Sequence, residues 1–276
     1  MTIPPPARRP AALVTGGSSG IGMALARCLA RDGHELVIVA RREPALAAAA
    51  AELRALGARG VTTIPADLSR REEIQRLLAT LHASGLDITI LVNNAGFGMS
   101  GPFAECRLDD ALELIDTNVS ALTHLTRALL PAMCRLGQGR ILNVASTAAF
   151  QPGPFMAVYY ASKAYVLSFS EAIAEELRGT GVTVTTLCPG PTATGFAERA
   201  AVGETRLFRR GVVLSAAQVA EAGYRAMLHG EGLVVPGAGN RLMTRAGRLA
   251  PRALVTRVMR RLNEHRSPPK EPPAGG

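Results

Sequence analysis

Between Val14 and Gly22 the chain reads Val14-Thr15-Gly16-Gly17-Ser18-Ser19-Gly20-Ile21-Gly22. A short apolar run, Ala11 to Val14, precedes it, and an alanine- and leucine-rich stretch, Met23 to Ala30, follows. The run has a buried-strand pattern and the stretch a helix pattern, so the glycines fall where a strand turns directly into a helix. Such a turn leaves the first backbone N–H groups of the helix without partners in the chain and aims them, with the helix dipole, at an anion. Gly16, Gly20 and Gly22 are spaced G-x-x-x-G-x-G, a variant of the dinucleotide fingerprint G-x-G-x-x-G. A phosphate cradle of this kind belongs to doubly wound α/β architecture.

The rest of the chain keeps the same habit. Strand patterns at 11–15, 35–40, 61–65, 88–93, 140–145, 182–188 and 232–235 alternate with helix patterns near 20–32, 43–56, 70–83, 108–136, 157–179 and 215–229. The expected fold is α/β: a single Rossmann-type domain over residues 11–239, with a parallel sheet of about seven strands and helices on both faces. Residues 1–10, with four prolines, read as a flexible tail. Residues 240–266 read as basic amphipathic helices, and residues 267–276, with four prolines and two glycines, as a disordered tail. At 276 residues and 47 % apolar content the chain can build one large core. Aromatics make up only 4 % and Trp is absent, so that core must be mainly Ala, Leu, Val and Ile.

The net charge of +9 is unevenly placed. Eight arginines and one acid, Glu264, lie between Arg241 and Arg266, which leaves only +2 for everything else. The main domain is near neutral, and nucleic-acid binding by it is not expected. Leu254, Val255, Val258, Met259 and Leu262 form one apolar stripe, and Leu242, Met243, Ala246, Leu249 and Ala250 repeat it before Pro251. A basic amphipathic pair can make peripheral contact with an anionic membrane, or pack on the protein body or a second subunit. The four cysteines form no C-x-x-C and the five histidines show no ligand spacing. Reduced thiols, no metal and a cytoplasmic setting, at most peripheral to a membrane, are therefore expected. Neither a secretory segment nor an apolar run of about 18–20 residues is visible.

The chemistry centres on Tyr159 and Lys163, four residues apart and so on one helix face, with Ser146 thirteen residues earlier. A free phenol titrates near ~10. A neighbouring ammonium favours the phenolate and should lower that value toward the range useful for acid–base catalysis. Adjacent Tyr160 has Ala164, not lysine, four positions on, and points about 100° round the helix.

Taken together, the chain from about Ala11 to Val235 resembles the short-chain dehydrogenase/reductase family. Thr15 to Gly22 is similar to the family's cofactor turn. Asp67 in Ala66-Asp67-Leu68 matches the aspartate that contacts adenine, and Asn93-Asn94-Ala95-Gly96 matches the NNAG motif. Asn118, Ser146, Tyr159 and Lys163 fall where the family keeps its catalytic tetrad, and Cys188-Pro189-Gly190-Pro191-Thr192 matches the PG segment beside the nicotinamide. The resemblance implies hydride transfer between nicotinamide and a carbonyl or alcohol carbon. Tyr159 would be the acid, Lys163 would hold the nicotinamide ribose and steady the phenolate, and Ser146 would bind the substrate oxygen. Asn118 would order a water behind Lys163. It further implies cofactor contacts from Gly16, Ser18, Ser19, Gly20, Ile21, Gly22, Asn94, Ala95, Gly96, Pro189, Gly190, Thr192 and Thr194. Asn93 reads as structural. A homo-oligomer, dimer or tetramer, is implied through the helices near 108–136 and 157–179. Relatives with a tail of this kind are similar to broad-specificity 3-oxoacyl reductases.

An acid at the end of the second strand would bond the ribose 2′-hydroxyl of NAD. Here the strand ends in Ala40, followed by Arg41 and Arg42, with Glu43 next to them. Two guanidinium groups suit a 2′-phosphate, so NADP(H) is the expected cofactor. Phe97, Met99, Phe103, Phe150, Phe155 and Met156, in loops with almost no charge, point to an apolar small-molecule substrate: an acyl, steroid-like or lipid carbonyl. Arg199, Arg206, Arg209 and Arg210 in the stretch 194–212 belong to a mobile lid that meets an acidic carrier, or to a solvated face. The second reading is a catalytically silent NADP(H)-binding sensor or scaffold; the intact tetrad favours the enzyme.

Overall fold

The computed structural model describes residues 8–194 and 213–264. Among them, seven parallel strands form one sheet in the order β3-β2-β1-β4-β5-β6-β9: β1 Arg9–Thr15, β2 Glu35–Ala40, β3 Gly60–Pro65, β4 Leu86–Asn93, β5 Gly139–Val144, β6 Val182–Leu187 and β9 Leu233–Val234. A separate short pair, β7 Thr192–Ala193 and β8 Leu214–Ser215, lies beyond the end of β6. The helices are α1 Gly20–Arg31, α2 Glu43–Ala55, α3 Arg71–Ala83, α4 Leu108–Ile115, α5 Ala121–Leu136, α6 Ala157–Glu176, α7 Ala216–His229, α8 Ala238–Leu249 and α9 Arg252–Asn263.

Successive strand residues feed opposite faces of the sheet, and both faces are covered. Ala12, Val14, Leu36 and Ile38 pack in one layer with α1, α2 and α7, while Ala11, Leu13, Val37 and Val39 pack in the other with α3, α5 and α6. This is why the strands read as continuous apolar runs rather than alternating ones. Strand order reverses between β1 and β4, which opens the crevice at their carboxyl ends where ligands bind in such sheets.

Two expectations need correction. β1 begins at Arg9, so Arg9 and Pro10 belong to the sheet rather than to the tail. The Arg9 amide donates to the Gly85 carbonyl at 3.1 Å, and its guanidinium pairs with Glu35 at 3.3 Å. The helix expected over 108–136 is broken by a π turn, Asp116–Ser120, between α4 and α5. It centres on the buried Asn118, whose side chain is held by residues outside the helix, as described below. Residues 1–7, the arginines at 199–210 and the tail from 265 lie outside the described residues.

Candidate active site

The cofactor turn is tied to the sheet before it meets any ligand. Thr15 Oγ1 accepts from the amides of Asn94 and Ala95, both at 3.0 Å, and Asn94 Nδ2 donates to the carbonyls of Thr15 and Gly16 at 2.9 and 3.2 Å. Gly16 and Gly20 sit at φ +62° and +55°, where only glycine is comfortable. Gly22 has another reason to lack a side chain: a Cβ there would run into Asn94 and the Gly16 carbonyl. Ser19, the N-cap of α1, makes no side-chain capping bond, so the first amides of α1 are left for an anion.

A cavity of about 1090 Å³ runs from this turn along the strand ends. Arg41 and Arg42 line one end, Asp67 and Leu68 follow, then Asn94 to Gly96, and finally Ser146, Tyr159 and Lys163. Arg41 pairs with Glu113 of α4 at 3.3 Å, not with neighbouring Glu43, and Arg42 makes no ion pair among the described residues. Asp67 Oδ1 accepts from the Ser69 amide and hydroxyl at 3.0 and 2.8 Å, which fixes the carboxylate beside the cavity. An uncapped helix start, two guanidinium groups and a buried ammonium along one cleft form a donor set that fits a phosphorylated dinucleotide.

At the other end β5 sets the chemistry. Ser146 follows the strand and caps a short 3₁₀ turn, its Oγ accepting from the Ala148 amide at 3.1 Å. Tyr159 makes a side-chain hydrogen bond with Ser146. Lys163 Nζ donates to the carbonyl of Val144 at 2.8 Å and lies 5.9 Å from the Tyr159 ring centroid. Asn118 spends both amide hydrogens on protein partners, the Phe97 carbonyl and Ser162 Oγ, each at 3.0 Å, while its Oδ1 accepts from the Phe97 amide at 3.1 Å. Its side chain therefore pins the Gly96–Phe97 turn beneath Lys163, where a Cβ on Gly96 would come within 2.8 Å of Asn118 Oδ1. Asn93 is a framework residue, bonded to Thr126 and Asn143 inside the core.

The electrostatics differ from the expectation for Tyr159. Burial dominates and pushes its phenol above the ordinary range, with the Ser146 hydrogen bond opposing. Burial also pushes the Lys163 ammonium down, to about 8, with nearby Cys188 opposing. The Lys163 ammonium, 5.9 Å from the Tyr159 ring centroid and directed at the Val144 carbonyl, does not offset that burial.

The profile of the short chain dehydrogenase family matches residues 10–204. The chain belongs to that family. Among curated relatives, this short chain dehydrogenase is 37 % identical over 178 residues to the ketoacyl reductase HetN of Nostoc sp. PCC 7120; the match covers 64 % of this chain and 62 % of HetN, just under two thirds of its length. Among solved structures it resembles a short-chain dehydrogenase from Sphingobium yanoikuyae in complex with NADPH, at TM-score 0.78 and 33 % identity, over 86 % of this chain and 92 % of that one. The bulky-bulky ketone specific alcohol dehydrogenase from Comamonas testosteroni aligns at TM-score 0.73 and 30 % identity, over 88 % and 93 % of the two chains.

Most of the residues expected at the site line the same cavity. Gly22 and Asn118 do not: Gly22 supports the turn from behind, and Asn118 is buried behind the Gly96–Phe97 turn. Gly190 packs directly on Asn240 of α8, Thr192 Oγ1 donates to the Gly190 carbonyl at 2.9 Å, and Thr194 lies against Gly20. Of the apolar loop residues, Phe97 and Met156 line the cavity, whereas Phe103 is 65 % exposed and Phe150 and Phe155 lie outside its lining. Sequence reasoning gave packing on the protein body as one use of the C-terminal stripes but did not place them at the site. Met243, Ala246 and Gly247 of α8, Ala250 just after it, and Leu254, Val255, Met259 and Leu262 of α9 line the substrate end, so the inner face of the C-terminal pair packs on the protein's own site. The available signal was polar: Asn240, Thr244 and Asn263 are buried on helices that otherwise look made for a surface.

Proposed function

We propose that this chain is an NADP(H)-dependent oxidoreductase that moves hydride between nicotinamide and the carbonyl or secondary alcohol carbon of an apolar substrate. One observation carries the reading: Ser146, Tyr159 and Lys163 share a cavity with an uncapped α1 start and with Arg41 and Arg42. The NADPH complex of the Sphingobium relative supports the cofactor, and the ketone specificity of the Comamonas relative supports the substrate class.

Bound in this cleft, the nicotinamide supplies or accepts the hydride. Burial keeps Tyr159 protonated at neutral pH, so in the reducing direction its hydroxyl is ready to donate as charge builds on the carbonyl oxygen. Ser146 Oγ, oriented by the Ala148 amide, offers a second hydrogen bond to that oxygen and fixes its angle. Lys163, anchored on Val144, would stabilise the tyrosinate left behind and would hold the cofactor ribose. Asn94 to Gly96, Pro189, Gly190, Thr192 and Thr194 line the same cleft and would enclose the cofactor, and Asp67 would serve its adenine end. Around the substrate, Met156, Met243, Leu254, Val255, Met259 and Leu262 bring no charge, which favours ketones and long-chain carbonyl compounds over free hydroxy acids. The same reading makes the chain a homo-oligomer, since Leu108, Leu112 and Ile115 of α4 and Tyr165 of α6 are exposed apolar residues on its outer face. No helix of the described residues is long and apolar enough to cross a membrane.

The test is initial-rate oxidation of NADPH and NADH against ketones, aldehydes and 3-oxoacyl thioesters, with Tyr159→Phe as control. Turnover with NADPH that is lost in the variant supports the reading. Tight NADPH binding with no turnover on any compound would favour the silent sensor.

A further inference from the structure

Asn263 is the last residue of α9, and it is only 1 % exposed. Both ends of its amide are used at long range. Oδ1 accepts from Tyr160 Oη at 3.3 Å, and Nδ2 donates to the Pro154 carbonyl at 3.1 Å. A carbonyl can only accept, so the Pro154 contact fixes which end of the amide is nitrogen. A buried amide without partners would be costly, and this one meets two groups that lie more than a hundred residues earlier in the chain.

Those two groups frame the reacting centre. Tyr160 is next to Tyr159, with the rings edge to face at 6.0 Å. Its ring fills the space over Gly153, where any side chain would collide with it. Pro154 and Phe155 form the loop just ahead of α6. Phe155 adopts φ +65°, a conformation bulky residues rarely take, and it is held there from two sides. Its carbonyl accepts from the Gly101 amide at 2.8 Å, and the Arg260 guanidinium of α9 lies 5.8 Å from its ring centroid. Val255, Met259 and Leu262 of the same helix pack on the cluster that contains Tyr159 and Tyr160 and line the cavity.

We propose that Asn263 is a positioning residue for the substrate: by bridging Tyr160 and the Pro154 carbonyl, it fixes α9 as the apolar wall of the site and sets how large a carbonyl compound is held against Tyr159. This rests on the oxidoreductase reading above. A small ketone is held by Ser146 and Tyr159 alone and has no need of the wall. A bulky apolar ketone depends on Val255, Met259 and Leu262 staying in place, and so on the bridge.

The experiment compares Asn263→Ala, Tyr160→Phe and the double variant with wild type, as full-length chains with NADPH, on one small and one bulky apolar ketone. For Asn263→Ala the expected result is a rise of about tenfold in KM for the bulky ketone, the loss of one to two buried hydrogen bonds, with kcat and NADPH affinity unchanged. The kcat/KM for the small ketone stays as in wild type. Tyr160→Phe gives a smaller rise, and the double variant is no worse than Asn263→Ala, because both remove one bridge. Equal changes for the two ketones, or effects that multiply in the double variant, would overturn the proposal. Amide hydrogen exchange of 151–156 and 252–263 reads the bridge without turnover: faster exchange in both segments is expected in Asn263→Ala, and unchanged exchange overturns it. Wild-type protein that reduces neither ketone would count against the oxidoreductase reading, while the exchange result still decides the bridge. Should Asn263→Ala fail to fold, the KM split and exchange in Tyr160→Phe carry the test.

Discussion

Lys163 Nζ donates to the carbonyl of Val144, the last residue of β5, so the buried ammonium is anchored on the strand that leads into Ser146. A buried ammonium carries a folding cost that depends on pH. The folded pKa lies near 8 and the unfolded one near 10.5. Between those values the unfolded chain holds a proton that the folded chain has released, so stability rises with pH through this window, whereas well below it the full cost is present and does not change with pH. Relative to Lys163→Met, wild-type protein should gain up to about 3 kcal/mol between pH about 7 and pH about 10.5. Urea unfolding of both proteins at the two pH values measures it; a difference independent of pH would mean that Lys163 titrates normally.

Tyr159→Phe should lower kcat by about 10²–10⁴, the usual worth of a positioned acid, while NADPH affinity stays within about twofold. The hydroxyl is lost but the ring still fills its place among Leu114, Ala148 and Met156. Steady-state rates with a fluorescence titration of NADPH separate the two.

Glu113 competes for Arg41. Removing the guanidinium, Arg41→Ala, should weaken NADPH about 10- to 100-fold and NADH little. Removing its competitor, Glu113→Gln, should tighten NADPH by about two- to fourfold, the worth of an exposed ion pair, and leave NADH unchanged. Calorimetric titrations of both nucleotides against the two variants check the sign of each effect. A tighter NADH complex in Glu113→Gln would remove the phosphate from the explanation.

Gly22 tests whether the turn acts as a unit. Gly22→Ala puts a methyl group into Asn94 and the Gly16 carbonyl, both parts of the tie between β1 and β4. Thermal unfolding should show a loss of about 1–3 kcal/mol, and NADPH should bind more weakly although residue 22 does not line the cavity. Normal affinity with lowered stability would mean that the turn tolerates displacement.

The sheet, its helices and the pairing of Tyr159 with Lys163 on one helix face were legible because they rest on short-range signals. Apolar runs, a glycine turn and a tyrosine–lysine spacing of four each act within a few residues of themselves. The π turn at Asn118 was not legible, because the bonds that hold Asn118 run to Phe97, some twenty residues away. Arg41 showed its charge but not its partner, since Glu113 approaches from a different helix. The lowering expected for Tyr159 failed on burial, which a residue spacing does not reveal. The substrate wall stayed open for the same reason as the π turn: the stripe of α9 suits a membrane, a subunit or its own protein, and the contacts of Asn263 with Tyr160 and Pro154 set it on its own protein.

The wall on α8 and α9 comes from the last part of the chain, whereas Ser146, Tyr159, Lys163 and the nucleotide turn all precede it by at least seventy residues. On a ribosome the nucleotide-binding half is complete before the segment that selects the substrate emerges. The same order separates the two in inheritance. Under the proposed reading, substitutions confined to this ending would reshape the apolar wall and leave Tyr159, Lys163 and the glycine turn unchanged.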